Sequence, residues 1–244
     1  MFDLAAAGAT DLARAYAHPP AGVGERAWLR ANMVVSLDGS TTIDGRVGAL
    51  TSPEDQVLLH LLRTLADVTL VGAGTIRNEG YGPLSVSDEV AAARTARGQT
   101  PEPGLAIVTN SCALDAAASL FTEARTRPIV LTCQAAPTDR REALARVADV
   151  VVVGDGQVDL PRAIEALHAR GLTRVLTEGG PTLLGDLFAD DLVDEVLFVL
   201  SPVVVGGGSP LSTGRHVPLS MSLHAAHRGD DFLFLQYRRT PSSP

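Results

Sequence analysis

The sequence predicts an α/β fold with a largely parallel sheet flanked by helices and an antiparallel C-terminal edge, on three observations. Short apolar runs of strand character alternate with segments whose apolar residues recur at helical spacing. The last two long strand-like runs, residues 193–208 and 230–239, have no helix between them, which is how an antiparallel edge reads. No internal repeat and no long Pro-, Gly- or Ser-rich linker divides the chain. Residues 1–27 therefore read as a leader and 28–244 as one domain.

The leader is Ala-rich and carries "HPPAGVGE", a short helix followed by a loop. "WLRANMVVS" (28–36) has the character of a central strand and stops at the Asp-Gly turn signals of "LDGSTTIDGRVG". Ser52 and Pro53 make a helix start, cap and first position, for "QVLLHLLRTLAD". "VTLVG" (68–72) is a strand of the continuous apolar kind expected when both faces are covered, followed by a Gly-bounded turn with one helical turn inside. Residues 85–103 read as a mobile excursion with a short helix. Strands follow at 104–110, 127–132, 149–154 and 173–177, with helices at 138–148, 159–171 and 181–189.

Composition removes several classes of function. The net charge of −8 disfavours nucleic acid and anionic membranes as partners, while leaving room for a phosphorylated small molecule held by local donors. No apolar run reaches the length of a membrane span, and Asp3 with no basic segment before it argues against a signal peptide, so a cytoplasmic location is expected. Cys112 and Cys133 lack metal or disulfide spacing and read as buried thiols. The six histidines show no HxH or HExxH pattern; His224 and His227 are at most a weak pair, and no metal is assigned. All 20 basic residues are Arg. Without lysine there is no Schiff-base, Walker A or Tyr-Lys dehydrogenase chemistry.

Three loops at strand ends carry the remaining signals. In "TEGGPTLLGDLF" (177–188) Gly179 and Gly180 remove side chains where a helix begins, and Pro181 is pre-set for its first position, so the free N–H groups make an anion site or simply a tight turn. A carboxylate beside an anion site is repulsive unless it faces another part of the ligand, so Glu178 needs a separate role. In "VGAGTIRNEG" (71–80) Gly72 and Gly74 fit a dinucleotide fingerprint but the third glycine position is Arg77, so that fingerprint fails. The loop reads either as a second anion site or as a helix capped by Thr75. Asn32, Ser36 and Asp38 lie at or just beyond the end of the first strand; Asp38 alone also fits a plain Asp-Gly turn. Ligands of open α/β sheets collect outside the carboxyl ends of strands, so the loops at 36–39, 72–75 and 178–181 are expected to converge on one crevice. Arg63, on the helix after the first strand, reads as a phosphate clamp or a solvated helix residue.

Together "NMVVSLDGSTT", "LLRTLADVTLVGAGTI", "GLTRVLTEGGPTLLGDLF" and "DEVLFVLSPVVVGGG" resemble the pyrimidine reductase family, the reductase half of bacterial riboflavin-biosynthesis deaminase/reductases, in the family's order from about Trp28 onward. The resemblance implies a dihydrofolate-reductase-like fold, NADPH as hydride donor, and reduction of 5-amino-6-(5-phosphoribosylamino)uracil at the ribose C1′. It implies that Gly179, Gly180, Pro181, Thr182 and Leu183 hold the cofactor pyrophosphate, with Gly72, Gly74 and Thr75 as a second cofactor loop. It also implies Val35 against the nicotinamide and Thr109 near the adenosine. Asp38, Arg63 and Glu178 match substrate positions, with Asn32 and Ser36 beside them. Asp38 and Glu178 are the candidate catalytic carboxylates, because a hydride acceptor nitrogen is protonated. A homodimer is implied as well.

Three departures qualify that resemblance. Ser40 stands where the family has Lys or Arg, "YGPLSVS" lacks the arginine of "Asp-Pro-x-Leu-Thr-x-Arg", and the zinc deaminase module with its His-x-Glu and Pro-Cys-x-x-Cys signatures is missing. Two alternatives follow: a dihydrofolate- or pteridine-type reductase of the same fold, or a non-catalytic NADPH-binding protein.

Overall fold

The computed structural model describes residues 8–19, 27–214 and 218–240. Part of the leader and His216 lie outside the described residues. The chain gathers into two compact units, and the first is assembled from discontinuous segments: residues 8–19, 28–62 and 177–240 as far as described. Residue 27 and residues 63–176 form the second.

The first unit contains α1 (Ala9–Ala15), β1 (Trp28–Val35), most of α2 (Pro53–Leu65), α8 (Pro181–Ala189), β7 (Glu195–Leu200), β8 (Met221–Gly229) and β9 (Phe232–Arg239). β7 runs parallel to β1, β9 antiparallel to β7, and β8 antiparallel to β9. The antiparallel C-terminal edge is therefore present, with one more strand than the sequence indicated. "MSLHAAHRG" escapes a strand reading because it is a one-sided edge strand, exposed at Ser222, Leu223 and His224, with a bulge between Leu223 and Ala225. The expected strand 193–208 is correspondingly shorter; after Leu200 the chain leaves the ladder at Pro202 and runs into the triglycine 206–208.

The second unit holds β2 (Val68–Gly72), α3 (Ala73–Glu79), α4 (Asp88–Ala96), β3 (Gly104–Val108), α5 (Ser119–Thr122), β4 (Ile129–Thr132), α6 (Thr138–Ala145), β5 (Asp149–Val152) and α7 (Leu160–His168). β6 (Arg174–Thr177) leads from this unit back into the first. β2, β3, β4 and β5 pair in sequence order, all parallel. The runs of β2, β3 and β4 are buried on both faces, as a sheet covered by helices requires, whereas β5 is half-exposed, and Val71, Ile76, Leu105, Ile107, Val130 and Leu144 form one core cluster with the buried thiols Cys112 and Cys133.

The short helix expected within residues 85–103 is present as α4, but buried side chains tie the segment down where a mobile excursion was expected. Ser87 caps α4, and the fully buried Arg94 donates to the carbonyls of Thr64, Ala66 and Thr100. Gln99 donates to Leu65 O, Ala66 O and Asp67 Oδ1. The signal was hidden because an arginine on a polar helix reads as a solvated residue, whereas here it satisfies the open carbonyls where α2 ends.

In the first unit α1 is held by a buried ion pair. Arg30 lies directly opposite Glu195 in the β1–β7 register, both fully buried, with Nη2 2.8 Å from Oε2. The same guanidinium donates to Tyr16 O at 2.8 Å, closing the end of α1, while Glu195 also accepts from Trp28 Nε1 and Gln236 Nε2. Tyr16 is 1% exposed and packs edge-on against His227, whose burial lowers its imidazole pKa. The weak pair His224/His227 is thereby split, His224 being exposed. Removing one member of such a pair strands a buried charge, so Arg30→Met is expected to lower unfolding stability by about 3–5 kcal/mol, read from the urea midpoint.

Candidate functional site

Strand alternation sorts the β1 candidates by face. Asn32 and Ser36 share the face of Arg30, and Met33 and Val35 take the other. The second face meets the β6–α8 turn, because a Cβ built on Gly179 would lie 3.0 Å from Met33 Sδ. Val35 is buried at the end of β1, beside Leu200. Asn32 sits inside the strand rather than at its end; it is 8% exposed and its Oδ1 meets no donor among the described residues. Such an orphaned buried acceptor requires an account, and a ligand donor is one.

The turn after β1 is built from side-chain to backbone hydrogen bonds. Ser36 Oγ donates to Asp38 Oδ1 at 2.5 Å and accepts from Ser40 N at 2.8 Å. Asp38 also accepts from Val205 N at 3.2 Å and Gly206 N at 2.7 Å. The exposed carboxyl is pushed down to about 2, first by the Ser36 hydroxyl and then by the Gly206 and Val205 N–H groups. It is more than a turn residue, since it ties its own loop to the segment after β7. Ser40, which stands where the resembled family has a cation, donates to Gly207 O, and Thr42 accepts from Ser209 N at 3.0 Å. Gly208, at φ +95°, has no room for a side chain because its Cβ would lie 2.4 Å from Thr42 O. None of the residues 201–210 is recognisable from sequence as part of a site; only the glycine run marks it.

The start of α8 matches the expectation in form. Gly179 (φ +77°) and Gly180 (φ +44°) both adopt backbone that disfavours side chains, Pro181 is the first helical residue, and no side chain caps the helix. Thr182 is exposed and Leu183 buried. Residue 213 also belongs here: Thr213 N donates to Pro181 O, its hydroxyl lies 3.3 Å from that of Thr182, and Gly185 admits Thr213 O where a Cβ would collide. No sequence signal marks Thr213. Glu178, half-buried, precedes the two glycines.

In the second unit Gly72 lies opposite Val108, which brings the carboxyl ends of β2 and β3, and so Gly72, Gly74, Thr75 and Thr109, to one edge. The expected single turn is a seven-residue helix, α3, starting directly from Gly72. Thr75 is its third residue and does not cap it. The space around Gly74 is open: a Cβ added there would have no neighbour within 4 Å. Thr109 is 4% exposed, and its hydroxyl accepts from Cys112 N at 3.0 Å, organising the turn after β3. Arg63, half-buried, is not a simple solvated residue: its Nη2 donates to the Tyr81 hydroxyl at 3.0 Å. Among the described residues no cluster of His, Cys, Asp or Glu is arranged to hold a metal ion, and no helix is long and apolar enough to cross a membrane.

The lowered Asp38 pKa carries a sign. Its stabilising contribution is complete above the unfolded value near 3.8 and is lost as pH falls through about 2. Chemical denaturation at pH 6 and pH 2 is therefore expected to separate Asp38→Asn from the unaltered chain at the higher pH and to bring them together at the lower.

The model of the RibD C-terminal domain family matches residues 27–232. A 2,5-diamino-6-ribosylamino-4(3H)-pyrimidinone 5′-phosphate reductase of Archaeoglobus fulgidus is 31% identical over 183 residues, 75% of this chain and 83% of the relative. The crystal structure of a pyrimidine reductase-like protein from Corynebacterium diphtheriae superposes with a TM-score of 0.84 at 27% identity, covering 95% of this chain and 99% of the other. Dihydrofolate reductase from Enterococcus faecalis, solved with NADP(H), gives a TM-score of 0.50 at 13% identity over 87% of this chain and 96% of that one, a likeness of fold. With a family match over most of its length and the strand-end loops in place, the chain belongs to the RibD C-terminal domain family.

Proposed function

We propose that this chain is an NADPH-dependent reductase of riboflavin biosynthesis that converts a 5-amino-6-(5-phosphoribosylamino)pyrimidine into its ribitylamino product. The observation that carries the reading is the uncapped start of α8, where Gly179 and Gly180 occupy positive-φ backbone beside β1, in a chain 31% identical to a named reductase of this kind. The cofactor supplies the hydride that reduces C1′ of the opened ribosylamine. Gly180, Thr182 and Leu183 offer the pyrophosphate backbone N–H donors and a favourable helix dipole, while Gly179, whose N–H donates to Thr177 Oγ1, and Pro181 shape the turn. Gly72, Gly74 and Thr75 offer an unobstructed second loop, Val35 an apolar wall for the nicotinamide, and Thr109 a contact toward the adenosine.

Asn32, Ser36 and Arg63 are assigned to the acceptor. Of the two carboxylates, Asp38 is engaged by Ser36, Val205 and Gly206, so its first role is to hold the turn. Charged at every pH above about 2, it cannot deliver a proton near neutrality. Glu178 is assigned to stabilising the positively charged acceptor nitrogen, which answers why a carboxylate precedes an anion-binding turn. The acceptor's ring carries either the 2-oxo group of the uracil or the 2-amino group in the name of the archaeal relative. A cytoplasmic homodimer belongs to the same proposal.

The test is NADPH oxidation with both phosphoribosylaminopyrimidines and with dihydrofolate. Turnover of either pyrimidine is expected, with Glu178→Gln lowering kcat about 100-fold, the scale of one preorganised electrostatic group. Asp38→Asn is expected to cost less. Turnover of dihydrofolate alone contradicts the substrate assignment, and NADPH binding with no turnover contradicts the enzyme.

A further inference from the structure

The turn after β3, at the carboxyl end of the second unit's parallel strands, draws arginines from two separate helices. Arg77, in the last turn of α3, donates from Nη1 to Ala113 O at 3.2 Å. Arg140, the third residue of α6, donates from Nη1 to Ser111 O at 3.4 Å. The two carbonyls are two residues apart, and both arginines are exposed. A guanidinium carries five N–H donors, so each contact anchors one edge of the group and leaves its other donors toward water. Arg94 and Arg97 also meet, on Thr64 O, but just before the amino end of β2 and beside the carboxylates of Asp67 and Glu102. The place of Arg77 and Arg140 in the fold is different, because ligands of open α/β sheets bind outside the carboxyl ends of the strands.

The turn that bears the two carbonyls is fixed by buried contacts. Thr109 Oγ1 accepts from Ser111 N at 3.4 Å and from Cys112 N at 3.0 Å. Cys112, between the two acceptors in sequence, holds left-handed backbone at φ +49°, which a non-glycine residue adopts only where its surroundings impose it. Its thiol is buried and donates to Thr132 Oγ1 at the end of β4, at 3.2 Å. Asn110 Oδ1 accepts from Val158 N at 2.8 Å and ties the turn to the segment after β5. Two guanidiniums from different helices, anchored on one rigid turn, suit an anion with a charge of about −2 and three terminal oxygens, which is a phosphomonoester. A diester phosphate offers less charge and fewer free oxygens. The chain has no lysine, so arginines must supply the cations of such a site.

We propose that Arg77 and Arg140 clamp a phosphomonoester, the 2′-phosphate on the adenosine ribose of the cofactor, and so set the preference of this chain for NADPH over NADH. This rests on the reading of Thr109 as a contact toward the adenosine, because the clamp is built on the turn that Thr109 organises. The cofactor site then extends past Thr109 to α3 and α6, and the two arginines distinguish dinucleotides by the 2′-phosphate alone.

The experiment is calorimetric titration of the full chain with NADPH, with NADH, and with adenosine 2′,5′-bisphosphate as a probe that lacks the nicotinamide. Arg77→Gln and Arg140→Gln, both at exposed positions, are each expected to weaken NADPH and the bisphosphate about 10-fold, with NADH binding within about twofold of the unaltered chain. The double variant should bind NADPH and NADH alike. Preference for NADPH retained in the double variant, or NADH weakened as much as NADPH, overturns the inference and leaves the reductase reading intact. No preference for NADPH in the unaltered chain overturns it too. Failure of the unaltered chain to turn over either pyrimidine, with the arginine-dependent preference for NADPH retained, overturns the reductase reading and leaves the clamp standing.

Discussion

The ion pair between Arg30 and Glu195 is the constraint on which the first unit depends. Two fully buried opposite charges facing one another across parallel strands permit one register, because a slip of a residue would leave both without a partner and turn every side chain to the other face. That register sets Val35 beside Leu200, and so determines which residues leave the ends of β1 and β7 together. The Ser36–Asp38 turn and the 201–210 segment meet for that reason. The same guanidinium holds the end of α1, so residues before the family core are built into this unit.

Beyond the strand ends, the site is organised by polar side chains that replace absent secondary structure. The segment 201–210 has no ladder to satisfy its backbone, and the side chains of Asp38, Ser40, Thr41 and Thr42 supply partners in turn. Because Asp38 holds two N–H groups and a hydroxyl, its charge is a fixed feature of the site at physiological pH. Glu178 precedes a turn in which two glycines bring backbone to the start of an uncapped helix. The two carboxylates thus sit in different backbone settings, and that difference supports their different assigned roles.

Much of the fold was legible because local preference and burial agree. The all-apolar runs of β2, β3 and β4 and the Ser52 cap, whose Oγ accepts from Asp55 N, read correctly from residues alone. β8 did not, since a half-exposed edge strand rich in His and Ala lacks both signals. The 85–103 segment was misread as mobile because a buried arginine capping another helix is a tertiary event with no local trace. Within the candidate site the glycine turns were visible by their residue types. Asp38's partners, Thr213 and Tyr81 were not, because each acts through contacts with residues distant in sequence or through an unremarkable side chain.

The central claim is that hydride passes to the ribosyl carbon of a phosphorylated aminopyrimidine. Reaction with NADPH deuterated at the transferred position of C4, followed by NMR of the product, tests it directly. The account predicts one deuterium at C1′ of a ribitylamino product; deuterium in the heterocyclic ring, or unlabelled C1′, would contradict it.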